Sequence, residues 1–107
     1  MESERRRAPR YPLIAEAVVI EIASATYLAA KTSDLSIGGC FLDMLNPSPE
    51  GAEIEVRITY SETTFSACGR VVFVFPSMGM GVMFTRVEAS QRAVLQEWLE
   101  GLSRGQE

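Results

Sequence analysis

The chain has 107 residues, 47% of them apolar, with a formal net charge of −4, which suits one domain whose single core buries roughly two-thirds of its unfolded surface. No apolar run approaches the roughly 20 residues that cross a bilayer, and the charged beginning lacks the greasy stretch of a secretory signal, so the expected setting is the cytoplasm without membrane insertion. Histidine is absent, which removes the commonest general base and the triads built on it. Cys40 and Cys68 form no CxxC pair and complete no zinc site, and they read as two buried free thiols. A binding module is therefore expected rather than an enzyme, with no metal and no catalytic residue.

Charge is distributed unevenly. Residues 1–10 hold four of the nine arginines, Arg5, Arg6, Arg7 and Arg10, against Glu2 and Glu4, while the remaining chain carries six basic and twelve acidic side chains. A protein that grips long DNA or RNA spreads its basic footprint over a face. Here it is confined to residues 1–12, read as a flexible Arg-rich arm, so a small anion is the better-sized partner and no DNA or RNA is expected.

Residues 13–22 are rich in β-branched side chains and read as the first strand, with Ala23-Ser24 as a turn and Thr26–Thr32 as the second. Ser33 to Gly39 is a tight polar loop, and Cys40–Leu45 a short third strand. Two prolines and a glycine in 46–51 mark an exposed loop. Beyond it Ile54, Val56, Ile58 and Tyr60 alternate with polar residues, as a half-buried antiparallel strand requires. Phe65, Ala67, Gly69, Val71 and Phe73 form the next alternating set, with Gly69 marking a bulge or a close approach, and Met78–Phe84 is the last strand. Met78, Met80 and Met83 read as core filler. Six strands with short connections suggest a small barrel or a strongly curved sheet.

From about 90 to 103 the period becomes helical. Val94, Leu95, Trp98, Leu99 and Leu102 make one apolar stripe, Ser90 is the expected N-cap and Gly105 lies beyond the end. This helix is expected to cover an open end of the barrel with Trp98 as its anchor. The alternative is a helix that docks a partner.

A strand out and its neighbour back would return Asp34 to the end of the barrel where the arm begins, so that Arg6 and Arg10 face Asp34 and Ser36. An Arg fork suits phosphate and also the O6/N7 edge of guanine. A carboxylate beside it would repel a plain phosphate but can accept hydrogen bonds from guanine N1–H and N2–H. The set suggests a guanine nucleotide. Read more plainly, the arginines are a solvated terminus and Asp34-x-Ser36-x-x-Gly39 is an Asx turn.

Arg6-x-x-x-Arg10 followed by Asp34-x-Ser36-x-x-Gly39 resembles the paired RxxxR and (D/N)xSxxG motifs of PilZ domains, bacterial receptors for the second messenger cyclic di-GMP. Gly79-Met-Gly-Val-Met-Phe84 is similar to that family's closing strand. The resemblance implies a mainly β fold, a six-stranded antiparallel barrel over 13–107 with a C-terminal α-helix. It also implies a ligand, cyclic di-GMP, wrapped by Arg6 and Arg10, with Asp34 and Ser36 on guanine and Gly39 shaping the turn, assisted by Gly38. Arg5 and Arg7 either add a phosphate contact or are solvated. A stand-alone, non-enzymatic sensor is expected, relaying the messenger to a protein partner as its arm orders over the nucleotide. The alternative is a nucleotide-independent adaptor of pilus or motility function. Single-stranded nucleic-acid binding would want basic residues interleaved with Phe65, Phe73 and Phe75, and they are missing.

Overall fold

The computed structural model describes residues 8–105. Seven strands are formed: β1 (Tyr11–Pro12), β2 (Glu16–Glu21), β3 (Thr26–Leu35), β4 (Gly39–Asp43), β5 (Glu53–Tyr60), β6 (Thr63–Phe75) and β7 (Gly79–Arg86), followed by the helix α1 (Ala89–Gly105). All pairings are antiparallel, in the order β3-β2-β5-β6-β7-β4, and β4 returns to β3 to close a six-stranded barrel. Closure leaves no open edge along that circuit. The short β1 adds to β3 at Tyr11↔Leu35 and Pro12↔Asp34.

β1 and β2 are one strand interrupted, which departs from the continuous run expected over 13–22. At the interruption Leu13 and Ala15 turn inward while Ile14 is 78% exposed. Thr32 holds the break: its buried Oγ1 accepts the Ala15 N–H at 3.0 Å and donates to the Leu13 carbonyl at 2.5 Å. Two backbone groups that lost ladder partners are thereby satisfied, as burial demands.

The core is lined by the inward-facing residues of β2 to β7. Val19, Leu35, Cys40, Leu42, Val56, Ile58, Phe65 and Met80 are fully buried. In β6 the expected alternation holds from Phe65 to Val71 and then fails, because a bulge between Val71 and Phe73 shifts the phase. Phe73 is turned outward and Val74 takes its place against the core. A second irregularity lies beside Gly69, where a Cβ would come within 2.8 Å of Val82 Cγ1 and 3.0 Å of the Met83 carbonyl oxygen, so both readings of that glycine hold.

Three further expectations are corrected. Cys68 is exposed rather than buried, because it occupies an outward position of β6. Met80 fills the core, but Met78 and Met83 are 67% and 44% exposed. The loop over 46–51 is not wholly solvated: Ser48 is buried, donating its hydroxyl to Glu21 Oε2 at 2.6 Å and its N–H to Met80 Sδ at 3.3 Å.

α1 plugs one end of the barrel. Leu95 and Trp98 are buried, and the Trp98 ring meets Tyr60 and Phe65 edge-on at 5.4 and 6.2 Å; each fully buried apolar side chain of this size contributes about 1.5–3 kcal/mol. The helix starts before Ser90, with the Gln91 and Arg92 N–H groups donating to the Glu88 carbonyl, and Gly105 is its last residue rather than lying beyond it. The first turn is attached to β6, since Gln91 Oε1 accepts the Ser66 N–H at 2.8 Å.

Candidate functional site

Strand alternation would put Asp34 inside the barrel, in phase with the buried Ala30 and Thr32. It is outside because β3 carries a bulge: Thr32 pairs with Leu42 but Asp34 with Phe41, so Ser33 is an extra residue and the phase flips. Such a bulge bends a strand and re-aims the side chains beyond it. Leu35 then enters the core, and the Asp34 carboxylate faces outward, next to the end of β1.

The entry of the chain supplies the opposite charge. Tyr11 and Pro12, expected in the arm, belong to the β1–β3 ladder, and Arg10 immediately precedes them. Its Nε stands 3.7 Å from Asp34 Oδ1, an ion pair with both side chains partly exposed. The same oxygen accepts the Phe41 N–H at 3.2 Å, which holds the carboxylate against the β3–β4 ladder. Arg5, Arg6 and Arg7 lie outside the described residues.

The turn that joins β3 to β4 is built by Ser36. Its N–H donates to the Gly39 carbonyl at 2.8 Å, and its buried Oγ accepts the N–H groups of Gly38 and Gly39, both at 3.2 Å. The hydroxyl expected on guanine is thus engaged in shaping the turn. The two glycines differ sharply: a Cβ on Gly38 would meet nothing within 4 Å, whereas one on Gly39 would lie 2.1 Å from the Val82 carbonyl oxygen. Gly39 is required because β7 passes over it. The Phe84 N–H donating to the Gly38 carbonyl at 2.8 Å completes that contact.

These parts surround a groove of about 920 Å³ lined by Ala8, Arg10, Ser36 to Gly39, Val72, Val82, Met83 and Phe84. One rim is polar and cationic, and Asp34 reaches it through Arg10; the floor is apolar. A smaller groove of about 460 Å³ shares Ile37 but runs between Pro9, Tyr11 and the helix residues Gln96, Leu99, Glu100 and Ser103, with no arginine among its lining. The apolar floor of the larger groove was not legible in the sequence, because Val72 and Met83 reach it only through the pairing of β4, β7 and β6.

Beneath the site Cys40 is fully buried, and its thiol is pushed up to about 12, first by burial and then by the Asp34 carboxylate, against an opposing effect of Arg10. It stays a neutral thiol at physiological pH. Among the described residues no cluster of acidic or sulfur side chains could hold a metal ion, and no helix is long and apolar enough to cross a membrane.

Residues 4–101 match the PilZ domain family. The chain belongs to that family. As a PilZ domain it is a binding module rather than an enzyme, and its closed barrel with one C-terminal helix is shared by solved structures. It resembles the PilZ domain of CeSA from a cellulose synthesizing bacterium, at 18% identity over 89% of this chain and 98% of that one, with a TM-score of 0.72. It also resembles the PilZ domain of YcgR from Escherichia coli, solved with c-di-GMP, at 17% identity over 94% and 93% of the two chains, TM-score 0.76. The Bacillus subtilis inhibitor of motility MotI/DgrA is similar at 13% identity and TM-score 0.74, and this PilZ domain spans only 49% of it. At these identities the likeness is one of fold. Among curated proteins none matches the sequence.

Proposed function

We propose that this chain binds cyclic di-GMP in the groove between Arg10 and the Ser36–Gly39 turn and acts as a sensor of that messenger. The observation that carries the reading is that Arg10, ion-paired to Asp34, and the Ser36–Gly39 turn line one groove in a PilZ-family chain; the YcgR PilZ domain of the same fold is a c-di-GMP complex. Chemistry supports a guanine base. The Arg10 fork can clamp phosphate or the guanine O6/N7 edge, and Asp34, whose Oδ1 already accepts from Phe41, offers a carboxylate to the donor N1–H and N2–H groups.

In this reading Arg6, one RxxxR offset before Arg10, supplies the second guanidinium, and Ser36, Gly38 and Gly39 hold the backbone that the nucleotide rests against. Rearrangement of the N-terminal arm over the bound nucleotide alters the surface offered to a downstream protein partner and so relays the signal. Calorimetric titration with cyclic di-GMP, GTP and cyclic di-AMP tests the binding step. Selective binding of cyclic di-GMP is expected, and a folded protein that takes up none at tens of micromolar would refute it.

A further inference from the structure

The outer face of β4, β7 and β6 carries an aromatic cluster that the groove residues leave unused. Phe41, Phe73 and Phe75 pack ring to ring with centroids 5.5 to 6.1 Å apart, yet Phe73 is 40% and Phe75 51% exposed. Glycines of β7 floor it. A Cβ at Gly81 would lie 2.3 to 2.8 Å from three carbons of the Phe73 ring, and one at Gly79 would lie 2.8 and 3.0 Å from two carbons of Phe41. The Phe73 and Phe41 rings therefore lie against bare glycine backbone, and Phe73 remains 40% exposed. Covering glycines of β7 accounts for two aromatics, Phe73 over Gly81 and Phe41 over Gly79. It does not account for Phe75, nor for the exposure of a three-ring cluster on one face.

Register ties the cluster to the nucleotide site. Asp34 pairs with Phe41, Phe41 with Gly81 and Gly81 with Phe73, a single row across the outside of the barrel. Val72, which lines the groove, is the neighbour of Phe73. The groove's polar rim reads the edge and charge of a nucleotide, whereas a purine also needs a surface for its face. Cyclic di-GMP carries two guanines, and Asp34 can serve one edge.

We propose that Phe73 and Phe41 form a stacking shelf for a guanine of cyclic di-GMP, so that the ligand extends from Arg10 and Asp34 onto the β4–β7–β6 face; this rests on the nucleotide-binding reading above. The rings add affinity for a purine face without reading its edge, since every base has a π-surface. Selectivity stays with Asp34 and Arg10.

The test titrates wild type, Phe41→Leu, Phe73→Leu and Phe73→Trp with cyclic di-GMP by calorimetry and by tryptophan emission. Each Leu variant is expected to bind about tenfold more weakly while still folded at the assay temperature, its thermal midpoint lowered by the lost ring pairs, because stacking on the base is lost while apolar cover is retained. Phe73→Trp is expected to keep its affinity and to be quenched on saturation. Wild type serves as the control, its one tryptophan, Trp98, being packed between Tyr60 and Phe65 under the helix. Unchanged affinity in both Leu variants, or emission of the Phe73→Trp variant that is indifferent to bound nucleotide, overturns the shelf and leaves the nucleotide reading standing. No binding to wild type overturns both.

Discussion

Arg10 Nε stands 3.7 Å from Asp34 Oδ1, the oxygen that also accepts the Phe41 N–H at 3.2 Å. Half-exposed ion pairs of this kind add little to stability, about 0–1 kcal/mol, so the pair is better explained by what it holds in place. Arg10→Ala should leave the unfolding midpoint nearly unchanged and weaken cyclic di-GMP binding at least tenfold, as the loss of a charge-assisted hydrogen bond of about 1.5–3 kcal/mol implies. Asp34→Ala should weaken it similarly. Asp34→Asn, which keeps an acceptor for Phe41, should fall between. Calorimetry against cyclic di-GMP and cyclic di-AMP measures both affinity and guanine selectivity; an Asp34→Ala variant that kept selectivity would contradict the role given to the carboxylate.

Gly38 and Gly39 make a paired comparison. Alanine at 38 has open space, while alanine at 39 would drive its Cβ to 2.1 Å from the Val82 carbonyl oxygen. Gly38→Ala should unfold like wild type in urea. Gly39→Ala should lose about 1–3 kcal/mol, in the range of overpacking, because strand backbone cannot move aside as a side chain can. Equal stability of the two variants would show that β7 yields at this point.

Thr32 is a buried hydroxyl with two assigned partners, the Ala15 N–H and the Leu13 carbonyl. Thr32→Val keeps the shape and leaves both groups without it, at a cost of about 1–3 kcal/mol for each buried unsatisfied group. Thr32→Ser keeps the hydroxyl and should retain most of the stability. Chemical denaturation of the two variants separates the hydrogen bonds from the packing. Since Thr32 sits one residue before the bulge that turns Asp34 outward, Thr32→Val should also weaken nucleotide binding.

The Cys40 thiol is raised to about 12 from an ordinary value near 9. Its folded form therefore keeps a proton that the unfolded chain releases above pH 9. Stability tied to this group is intact below pH 9 and falls as the pH rises toward 12, by about 1.4 kcal/mol per unit. Between pH 8 and 10.5 wild type should lose about 2 kcal/mol more than Cys40→Ala, measured by urea unfolding at each pH. A thiol reagent should titrate the exposed Cys68 in the native protein and Cys40 only after unfolding.

The β5–β6 hairpin turns through Ser61 and Glu62, both at positive φ, 55° and 66°. Two left-handed central residues are the signature of a type I′ turn, which favours Asn-Gly. Glu62→Gly should therefore stabilise the chain by about 0.5 kcal/mol, the relief of left-handed strain exceeding the added freedom of the unfolded state. A drop in the denaturation midpoint would count against it.

Alternation and composition are local properties, and they sufficed for the strands from Ile54 to Tyr60, for the helical stripe of Val94, Leu95, Trp98, Leu99 and Leu102, and for the terminal Trp98 anchor. They failed where a neighbouring strand sets the phase. Phe73 continues the pattern of Phe65 and Val71 in the sequence, yet the bulge in β6 turns it out; Ser90 looks like an N-cap, yet the helix starts at Ala89, with the Glu88 carbonyl accepting its first N–H groups.

The site divides the same way. Arg6, Arg10 and Asp34 pointed by chemistry to a guanine nucleotide, because guanidinium and carboxylate have their meaning wherever they stand, while Ser36 and Gly39 joined them through the family motif. That Asp34 is outside at all depends on one extra residue, Ser33, in the β3–β4 pairing, and the apolar floor of the groove beside Arg10 depends on three strands meeting in register. The donors and acceptors available to a ligand follow from residue identity alone. Which way they point follows from the folded ladder, because a shift of one residue exchanges the two faces of a strand, and nothing local to Asp34 records that shift.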